Sequence, residues 1–277
     1  AAISFYLGSE RRDRASAAAV HGLALSAVHG VVLTGLTIVL LPSFLEMFTQ
    51  DPEVLELGVR YGRTVFCFSL LLSLGLAYEK IFQAVGRMRV TMVGLMAGSV
   101  CNIILDPMLI FGVGPFPKMG IAGAALATGI GQMVPVIFYL IVYFVSPIPV
   151  RLRSGCLKPN AKMALQLYSI GVPAIIAQGA MSVMNYCVNL IFGSLDSSYV
   201  TAYGIVYKIQ QFVLFAAFGL RDAITPIVSF SYGMQNAKRI REGVRCGLMY
   251  TSVLMLVCTA AVEILAQPLA GIFSLSA

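Results

Sequence analysis

SFYLG at residues 4–8 is the stretch that decides the fold, because it returns as SFSYG at residues 229–233. In both copies the pentapeptide leads into a basic turn and then a Gly-Leu pair, and the offset from Gly8 to Gly233 is 225 residues. Matches in this register continue over about 45 residues, as far as Phe48 and Phe273, and predict a duplication. A period this long suits half of a large membrane protein. We therefore expect an excerpt that begins near the end of one transmembrane helix and stops inside its duplicate.

The composition predicts an integral membrane protein. Hydrophobic residues make up 58% of the 277 residues and charged residues 11%, whereas soluble domains carry roughly 25% charged residues. Mean hydropathy is +0.87. The net charge of +7 does not indicate nucleic acid as a partner, because basic loops retained in the cytoplasm produce the same excess. The six cysteines mostly lie in apolar runs without metal-ligand spacing, so we expect neither a metal nor a redox site.

Seven apolar segments follow the opening fragment. A spanning helix needs about 20 apolar residues, and the segments must be helices because an open sheet edge cannot be satisfied in lipid. Fourteen of the 19 Lys and Arg residues fall in alternate turns, at residues 10–14, 80–89, 151–162 and 238–245. These turns are predicted to be cytoplasmic. The predicted spans cover residues 16–41, 54–85, 90–111, 120–145, 163–195, 199–232 and 243–265.

The number of crossings between the two copies sets their relation. Six crossings is an even number, so both copies face the same way and are predicted to be parallel repeats about a pseudo-two-fold axis along the membrane normal. The proline-rich basic connection at residues 147–162 is the predicted cytoplasmic linker between an N-terminal lobe, residues 1–146, and a C-terminal lobe, residues 163–277. Secondary transporters place their sites at the interface of such repeats.

Asp106 is the clearest candidate for chemistry inside the membrane, where a charge is expensive. It ends a row of Gly94, Gly98 and Asn102 at four-residue spacing, along one slowly winding side of a helix. Pro107 follows and frees a backbone carbonyl. The carboxylate is a candidate to hold a proton or Na⁺ with nearby amide oxygens. The alternative is a structural role in capping or bracing the helix end.

Other polar residues at membrane depth have two interpretations each. Thr128, on the next helix, is a candidate to supply a hydroxyl near Asp106, although a bond to its own i−4 carbonyl explains it equally well. Glu79 is another intramembrane candidate, expected to be half neutralised by its neighbour Lys80 and to lie close enough to the inner face to be solvated. The first helix of the second half carries a polar stripe that suits either a wet cavity wall or hydrogen bonds between helices. The stripe consists of Gln178, Ser182, Asn185 and Asn189.

The remaining titratable groups do not suggest catalysis. His21 and His29 lack partners in sequence and are expected to be structural, and the sequence does not place Arg221 and Asp222 in depth. We find no Ser/His/Asp order, phosphate-binding glycine loop or paired acid and base. The sequence therefore predicts that the chain is not an enzyme, and an ion gradient is the expected energy source.

Four motifs of the chain resemble the multidrug and toxic compound extrusion (MATE) family: EKIFQAVG at residues 79–86, NIILDP at 102–107, GIAGAALAT at 120–128, and residues 226–239. The resemblance implies an all-α integral membrane transporter of two six-helix lobes. In that arrangement this chain runs from the end of the second helix through the ninth. It implies secondary active efflux of cationic or amphiphilic compounds by antiport with H⁺ or Na⁺, without a further cofactor. The alternative from the same superfamily is a flippase for a lipid-linked precursor.

The resemblance also implies a cation or proton site in the first lobe, formed by Asn102, Asp106 and Thr128 with an Asp outside this chain. Glu79 falls where some relatives carry Asn and would add a carboxylate. Gln178 stands where other branches carry Glu, which favours the bacterial branch resembling DNA-damage-inducible protein F. We expect a multi-pass protein of the bacterial inner (plasma) membrane, a monomer, whose partners are small-molecule cationic drugs or toxins and membrane lipid.

Overall fold

The computed structural model describes residues 1–47, 49, 51–152, 160–195 and 197–265, and all regular secondary structure in this part is α-helical. The predicted all-α membrane fold is confirmed. Six helices are long and apolar enough to cross a membrane, and a bent pair counted as one span makes seven. The helices are α1 (Ala2–Gly8), α2 (Arg12–Glu46), α3 (Pro52–Cys67), α4 (Ser69–Ala84), α5 (Met88–Phe111), α6 (Ile121–Val145), α7 (Ala161–Leu195), α8 (Ser197–Gly233) and α9 (Ala237–Ile264).

The bent pair occupies the second predicted span, which the sequence treated as one uninterrupted helix. α3 begins after Asp51, whose side chain accepts a hydrogen bond from the backbone N–H of Glu53 at 2.9 Å. α3 and α4 meet at Phe68 with a bend of 43°. The ring of Phe68 lies against Gly129 of α6, where a methyl group would come within 2.7 Å of the ring carbon Cγ. The missing side chain at Gly129 leaves room for the aromatic ring at the bend.

Residues 10–159 form one compact unit, and its closest helix contacts are between α5 and α6. The helices meet through glycines, as the small residues of both segments predicted. A methyl group at Gly98 would lie 2.6 Å from the carbonyl oxygen of Gly131 and 2.7 Å from Cγ of Pro135. At Gly123 the nearest atoms belong to the backbone of Leu109. Side chains larger than hydrogen at these positions would hold the two helices apart.

The first residues of the predicted linker are fixed to the same unit. The Arg87 guanidinium donates to Ser146 Oγ at 2.6 Å and to the carbonyl oxygen of Pro147 at 2.8 Å. The backbone N–H of Arg151 donates to Ser16 Oγ at 3.0 Å, and Val150 is buried. Residues 153–159 of the linker lie outside the described residues. The predicted boundaries of the two lobes stay a prediction.

The second compact unit consists of Ala1–Ser9 and Asn160–Ala277. α8 runs without interruption through Pro226 and packs on α9, where a methyl group at Gly247 would lie 2.8 Å from Cδ1 of Ile224. α1 packs against α8, and the Tyr6 hydroxyl donates to Gln166 Oε1 on α7 at 2.6 Å. Phe48 and Phe273, the last matched positions of the repeat, lie outside the described residues.

Candidate functional site

A cavity of about 250 Å³ lies among α4, α5 and α6 and brings together three of the four residues predicted for the ion site. Glu79, Asn102 and Thr128 all line it. Each helix contributes one face, because the lining positions follow the i, i+3, i+4, i+7 spacing of a helical stripe. The lining residues are Leu72, Gly75, Leu76 and Glu79 from α4, Leu95, Gly98, Ser99 and Asn102 from α5, and Thr128, Gly131, Gln132, Pro135 and Tyr139 from α6.

Glu79 is a buried carboxylate at one end of this lining, with 7% of its surface exposed. Its Oε1 accepts a hydrogen bond from Gln83 Nε2 at 2.7 Å. Lys80 Nζ lies 3.4 Å from the same oxygen and donates to Gln83 Oε1 at 3.0 Å. The Lys80 side chain is half-exposed, so its ammonium remains solvated while it pairs with the carboxylate. The expected partial neutralisation of Glu79 by its neighbour is therefore seen.

Three polar side chains of the cavity keep their hydrogen-bonding capacity. In the described part of the chain, Asn102, Gln132 and Ser99 make no side-chain hydrogen bond, although all three line the cavity. An amide offers both donors and an acceptor oxygen, so this wall can coordinate a cation through oxygen or bind a polar group through N–H. Ser99 lies on the same face of α5 as Asn102, and Gln132 lies on the same face of α6 as Thr128.

Thr128 forms the hydrogen bond to its own helix that the sequence left open as the alternative to a role near Asp106. Its hydroxyl donates to the carbonyl oxygen of Ala124, four residues earlier, at 2.9 Å. The hydroxyl oxygen keeps its lone pairs, so Thr128 can still accept a hydrogen bond or coordinate a cation from the cavity wall.

Asp106 does not line the cavity. It is half-buried, and among the described residues its carboxylate forms no hydrogen bond or ion pair. Four residues along an α-helix advance about 6 Å and turn about 40° beyond a full circle, so Asp106 lies one turn past Asn102 and rotated away from it. The structure thus separates the pair that the sequence treated as one unit, and the assignment of Asp106 to an ion site stays a prediction.

Sequence reasoning missed Tyr139 as part of this site. The residue is 1% exposed, its hydroxyl donates to the carbonyl oxygen of Thr91 at 3.1 Å, and its ring centroid lies 5.8 Å from that of Phe82. Gly94 faces the ring, where a methyl group would lie 2.7 Å from Cζ. Tyr139 lies three helical turns after Thr128 on the same face of α6. This spacing is the sequence signal that could have identified Tyr139.

The polar stripe of the second half lies on α7, in the other compact unit. Gln178 and Ser182 are exposed and Asn185 and Asn189 are half-buried. Asn189 Nδ2 donates to the carbonyl oxygen of Asn185 at 2.8 Å, which is a bond along the helix. Both interpretations of this stripe therefore stay open.

Arg221 and Asp222, which are adjacent on α8, form an ion pair. Arg221 Nη2 lies 3.1 Å from Asp222 Oδ1, and the guanidinium sits 5.0 Å from the ring centroid of Phe218. Because α8 is continuous, Arg221 lies about 18 Å along the helix from Gly233 at 1.5 Å per residue. His21 and His29 each hydrogen-bond through Nδ1 to the carbonyl oxygen four residues earlier, at 2.9 Å and 2.7 Å. The histidines have the local structural bonds that the sequence favoured.

Comparison with proteins of known sequence finds export proteins. The chain is 28% identical over 222 residues to the multidrug export protein MepA of Staphylococcus aureus (strain NCTC 8325 / PS 47), a match that covers 80% of this chain and 48% of the relative. It is 24% identical over 272 residues to MepA of Staphylococcus haemolyticus (strain JCSC1435), covering 98% and 59%. The chain thus spans about half the length of the relatives it matches. The branch resembling DNA-damage-inducible protein F stays a prediction.

Solved structures share the fold. An outward-facing multidrug resistance MATE family transporter of the MOP superfamily superposes with a TM-score of 0.90 at 22% identity, over 99% of this chain and 60% of that one. A MOP superfamily transporter from Pyrococcus furiosus gives 0.92 at 22% identity over the same fractions. The MatE family model matches residues 1–108 and 173–277. This multi-pass membrane protein belongs to the MatE family, the multidrug and toxic compound extrusion family that its motifs resemble.

Proposed function

We propose that the full-length protein is a secondary active multidrug efflux transporter that exports cationic or amphiphilic small molecules by antiport with H⁺ or Na⁺. The single observation that carries the proposal is the cavity, which is lined both by the buried carboxylate of Glu79 and by the uncommitted amide of Asn102. Membership of the MatE family and similarity to export proteins named MepA support it.

The cavity has the chemistry that exchange of a cation requires. A buried carboxylate attracts a proton, Na⁺ or an organic cation, but it neutralises only one of them at a time. Amide oxygens of Asn102 and Gln132 and the hydroxyl of Thr128 suit a hard cation or a hydrated one. Asp106 stands one helical turn further along α5, outside the lining of this cavity, and is proposed as a second carboxylate on the path of the ion. Competition of ion and drug for these groups couples their movements in opposite directions.

The rival function is a flippase for a lipid-linked precursor. Such a protein needs Lys or Arg around its cavity to bind the pyrophosphate of the lipid. Among the lining residues of the described cavity none is Lys or Arg. The polarity of this cavity therefore favours a cationic cargo over an anionic one.

Ethidium accumulation in cells that express the full-length protein tests the proposal. We expect wild type to lower accumulation, and Asp106→Asn and Glu79→Gln to abolish this effect at equal membrane levels. Glu53→Gln, an exposed carboxylate in the first turn of α3, is the matched control and should export normally. Lack of export by wild type would contradict the efflux function, and equal export by all variants would contradict the assignment of the two carboxylates.

A second measurement identifies the coupling ion. Everted membrane vesicles are loaded with ethidium in the presence of a proton gradient, a Na⁺ gradient or neither. Uptake driven by only one gradient names the ion, whereas uptake independent of both would contradict antiport.

A further inference from the structure

The two oxygens of the Glu79 carboxylate have different surroundings. Oε1 accepts a hydrogen bond from Gln83 Nε2 at 2.7 Å and lies 3.4 Å from Lys80 Nζ. Oε2 forms no hydrogen bond or ion pair with any residue that the structure describes. Among those residues, every fully buried side-chain nitrogen or oxygen has a hydrogen-bond partner. Oε2 is therefore not sealed inside protein, and the open space that Glu79 lines is the cavity among α4, α5 and α6.

The orientation of the Gln83 amide follows from its two partners. A Lys ammonium has donors but no acceptor, so the amide atom that Lys80 Nζ contacts at 3.0 Å must be the oxygen, Oε1. The amide nitrogen then points at Glu79, whose ionised carboxylate can only accept a hydrogen bond. Both neighbours require the same orientation, because a flipped amide would place oxygen against oxygen and N–H against ammonium.

The three polar groups share one turn at the end of α4. Glu79 precedes Gln83 by four residues and Lys80 precedes it by three, the spacings at which side chains of a helix meet. Gln83 is 9% exposed, so its amide depends on these partners, because a buried polar group without them is unfavourable. The Lys80 side chain is 52% exposed and reaches the amide from the solvated side.

The bond from Gln83 leaves the carboxylate with one orientation and one free oxygen. Its length of 2.7 Å is that of a hydrogen bond to a charged group. A glutamate side chain that is not held takes several rotamers, and a ligand that binds it must first order them. The amide does this in advance. Gln83 itself does not line the cavity, so it affects a ligand there only through Glu79.

We propose that Gln83 is a positioning residue for Glu79. Held by Lys80, its amide fixes Oε1 and turns Oε2 toward the cavity, where Oε2 binds the cation that the protein transports. This inference rests on the proposed efflux function, because it names a residue that serves the same cavity.

Chemical modification of Glu79 tests the positioning without measuring transport. Dicyclohexylcarbodiimide reacts with carboxyl groups in apolar surroundings, and mass spectrometry of the purified full-length protein gives the rate at residue 79. Gln83→Met keeps the length of the side chain but removes its N–H donors. We expect this variant to be modified about tenfold faster, because both oxygens are then free to react and a hydrogen bond to a charged group is worth at least that factor. Lys80→Met should raise the rate less, because Gln83 still donates.

The lysine variant also protects the test against misfolding. Lys80 is half-exposed, so Lys80→Met should fold even if Gln83→Met does not. Lys162→Met, at an exposed position in the first turn of α7, is the matched control and should leave the rate unchanged. Unchanged modification in both Gln83→Met and Lys80→Met would overturn the positioning role. A similar rise in Lys162→Met would show a general loosening of the protein and would also overturn it.

Ethidium binding to the purified protein, followed by fluorescence, shows whether Gln83 acts through Glu79. We expect Gln83→Met and Glu79→Gln each to weaken binding about tenfold or more, and the double variant to bind no more weakly than Glu79→Gln alone. Losses that multiply in the double variant would mean that the two residues act independently, which would overturn the proposal. Bound ethidium should also slow the modification of Glu79 in wild type, because it covers Oε2.

Failure of the positioning role and failure of the efflux function are distinguishable. Faster modification in Gln83→Met without ethidium export by wild type would support the positioning role and contradict the efflux function. Ethidium export by wild type, with no response of residue 79 to either substitution, would support efflux and overturn the positioning role.

Discussion

The close packing of α5 on α6 makes Gly98→Ala the sharpest test of the fold around the cavity. The added Cβ would lie 2.6 Å from the carbonyl oxygen of Gly131 and 2.7 and 2.9 Å from two ring carbons of Pro135. Backbone and proline ring cannot rotate away as a long side chain does. Ordinary contacts are about 3.5–4.0 Å, so the helices must separate locally by roughly 1 Å.

The expected cost follows from this overpacking. Extra methyl groups in a packed interior cost about 1–3 kcal/mol, and each kcal/mol lowers Tm by about 2–4 °C in a protein of 150–250 residues. Thermal unfolding of the purified full-length protein in detergent, followed by intrinsic fluorescence, measures the shift. Efflux should also fall, because Gly98 lines the cavity and its displacement moves Asn102 on the same helix.

A matched glycine provides the control. Gly35 on α2 is exposed and a methyl group there meets nothing within 4 Å, so Gly35→Ala should leave Tm unchanged or raise it through better helix propensity, worth up to about 1 kcal/mol. If Gly98→Ala behaves like Gly35→Ala in both Tm and efflux, the close approach of α5 and α6 is refuted. A lower Tm for both variants would point instead to a general intolerance of alanine.

Three further predictions concern individual polar side chains. Tyr139→Phe removes the bond to the Thr91 carbonyl but keeps the ring, so the loss should be about 1 kcal/mol, read from Tm. Arg87→Ala removes two bonds that fix the linker, and limited proteolysis should then cut residues 147–162 faster, with unchanged proteolysis contradicting that anchoring role. If Thr128 takes part in the proposed ion site, Thr128→Val should lower efflux severalfold while Thr128→Ser keeps it, because both Thr and Ser present a hydroxyl oxygen to the cavity. Equal efflux by both variants would leave Thr128 a purely structural residue.

Hydropathy and loop charge were enough to predict the helices, because membrane depth fixes their length and lipid leaves the backbone no alternative. The bend at Phe68 escaped this reasoning. The Phe68 ring at the bend packs against Gly129, which is 61 residues away in the chain. No local signal such as proline marks the break, so only the packing of α3 and α4 on α6 reveals it.

The candidate site shows the same division between local and distant information. Spacing on one helix selected Asn102, the motif at residues 79–86 selected Glu79, and both residues line the same cavity. Spacing alone could not separate Asn102 from Asp106. Residues four apart are rotated slightly around the helix, and which of the two lines the cavity depends on where the neighbouring helix lies. Tyr139 was missed because an aromatic residue in an apolar helix has no distinctive signal until a polar group, here the Thr91 carbonyl, is found opposite its hydroxyl.

The contact between α1 and α8 explains why the two copies of the repeat are most similar at SFYLG and SFSYG. In a reciprocal contact each residue must fit the copy of its neighbour, so a change in one copy alters a surface on which the other depends. Gly8 and Gly233 have no room for a side chain because each meets a carbonyl of the opposite copy. Gly22 and Gly247 match in sequence, yet only Gly247 has a close neighbour among the described residues, Ile224. The sequences of the two pentapeptides are therefore constrained by their mutual contact and not by their equal position in each half. A substitution at either glycine should be tolerated only when the opposing helix moves.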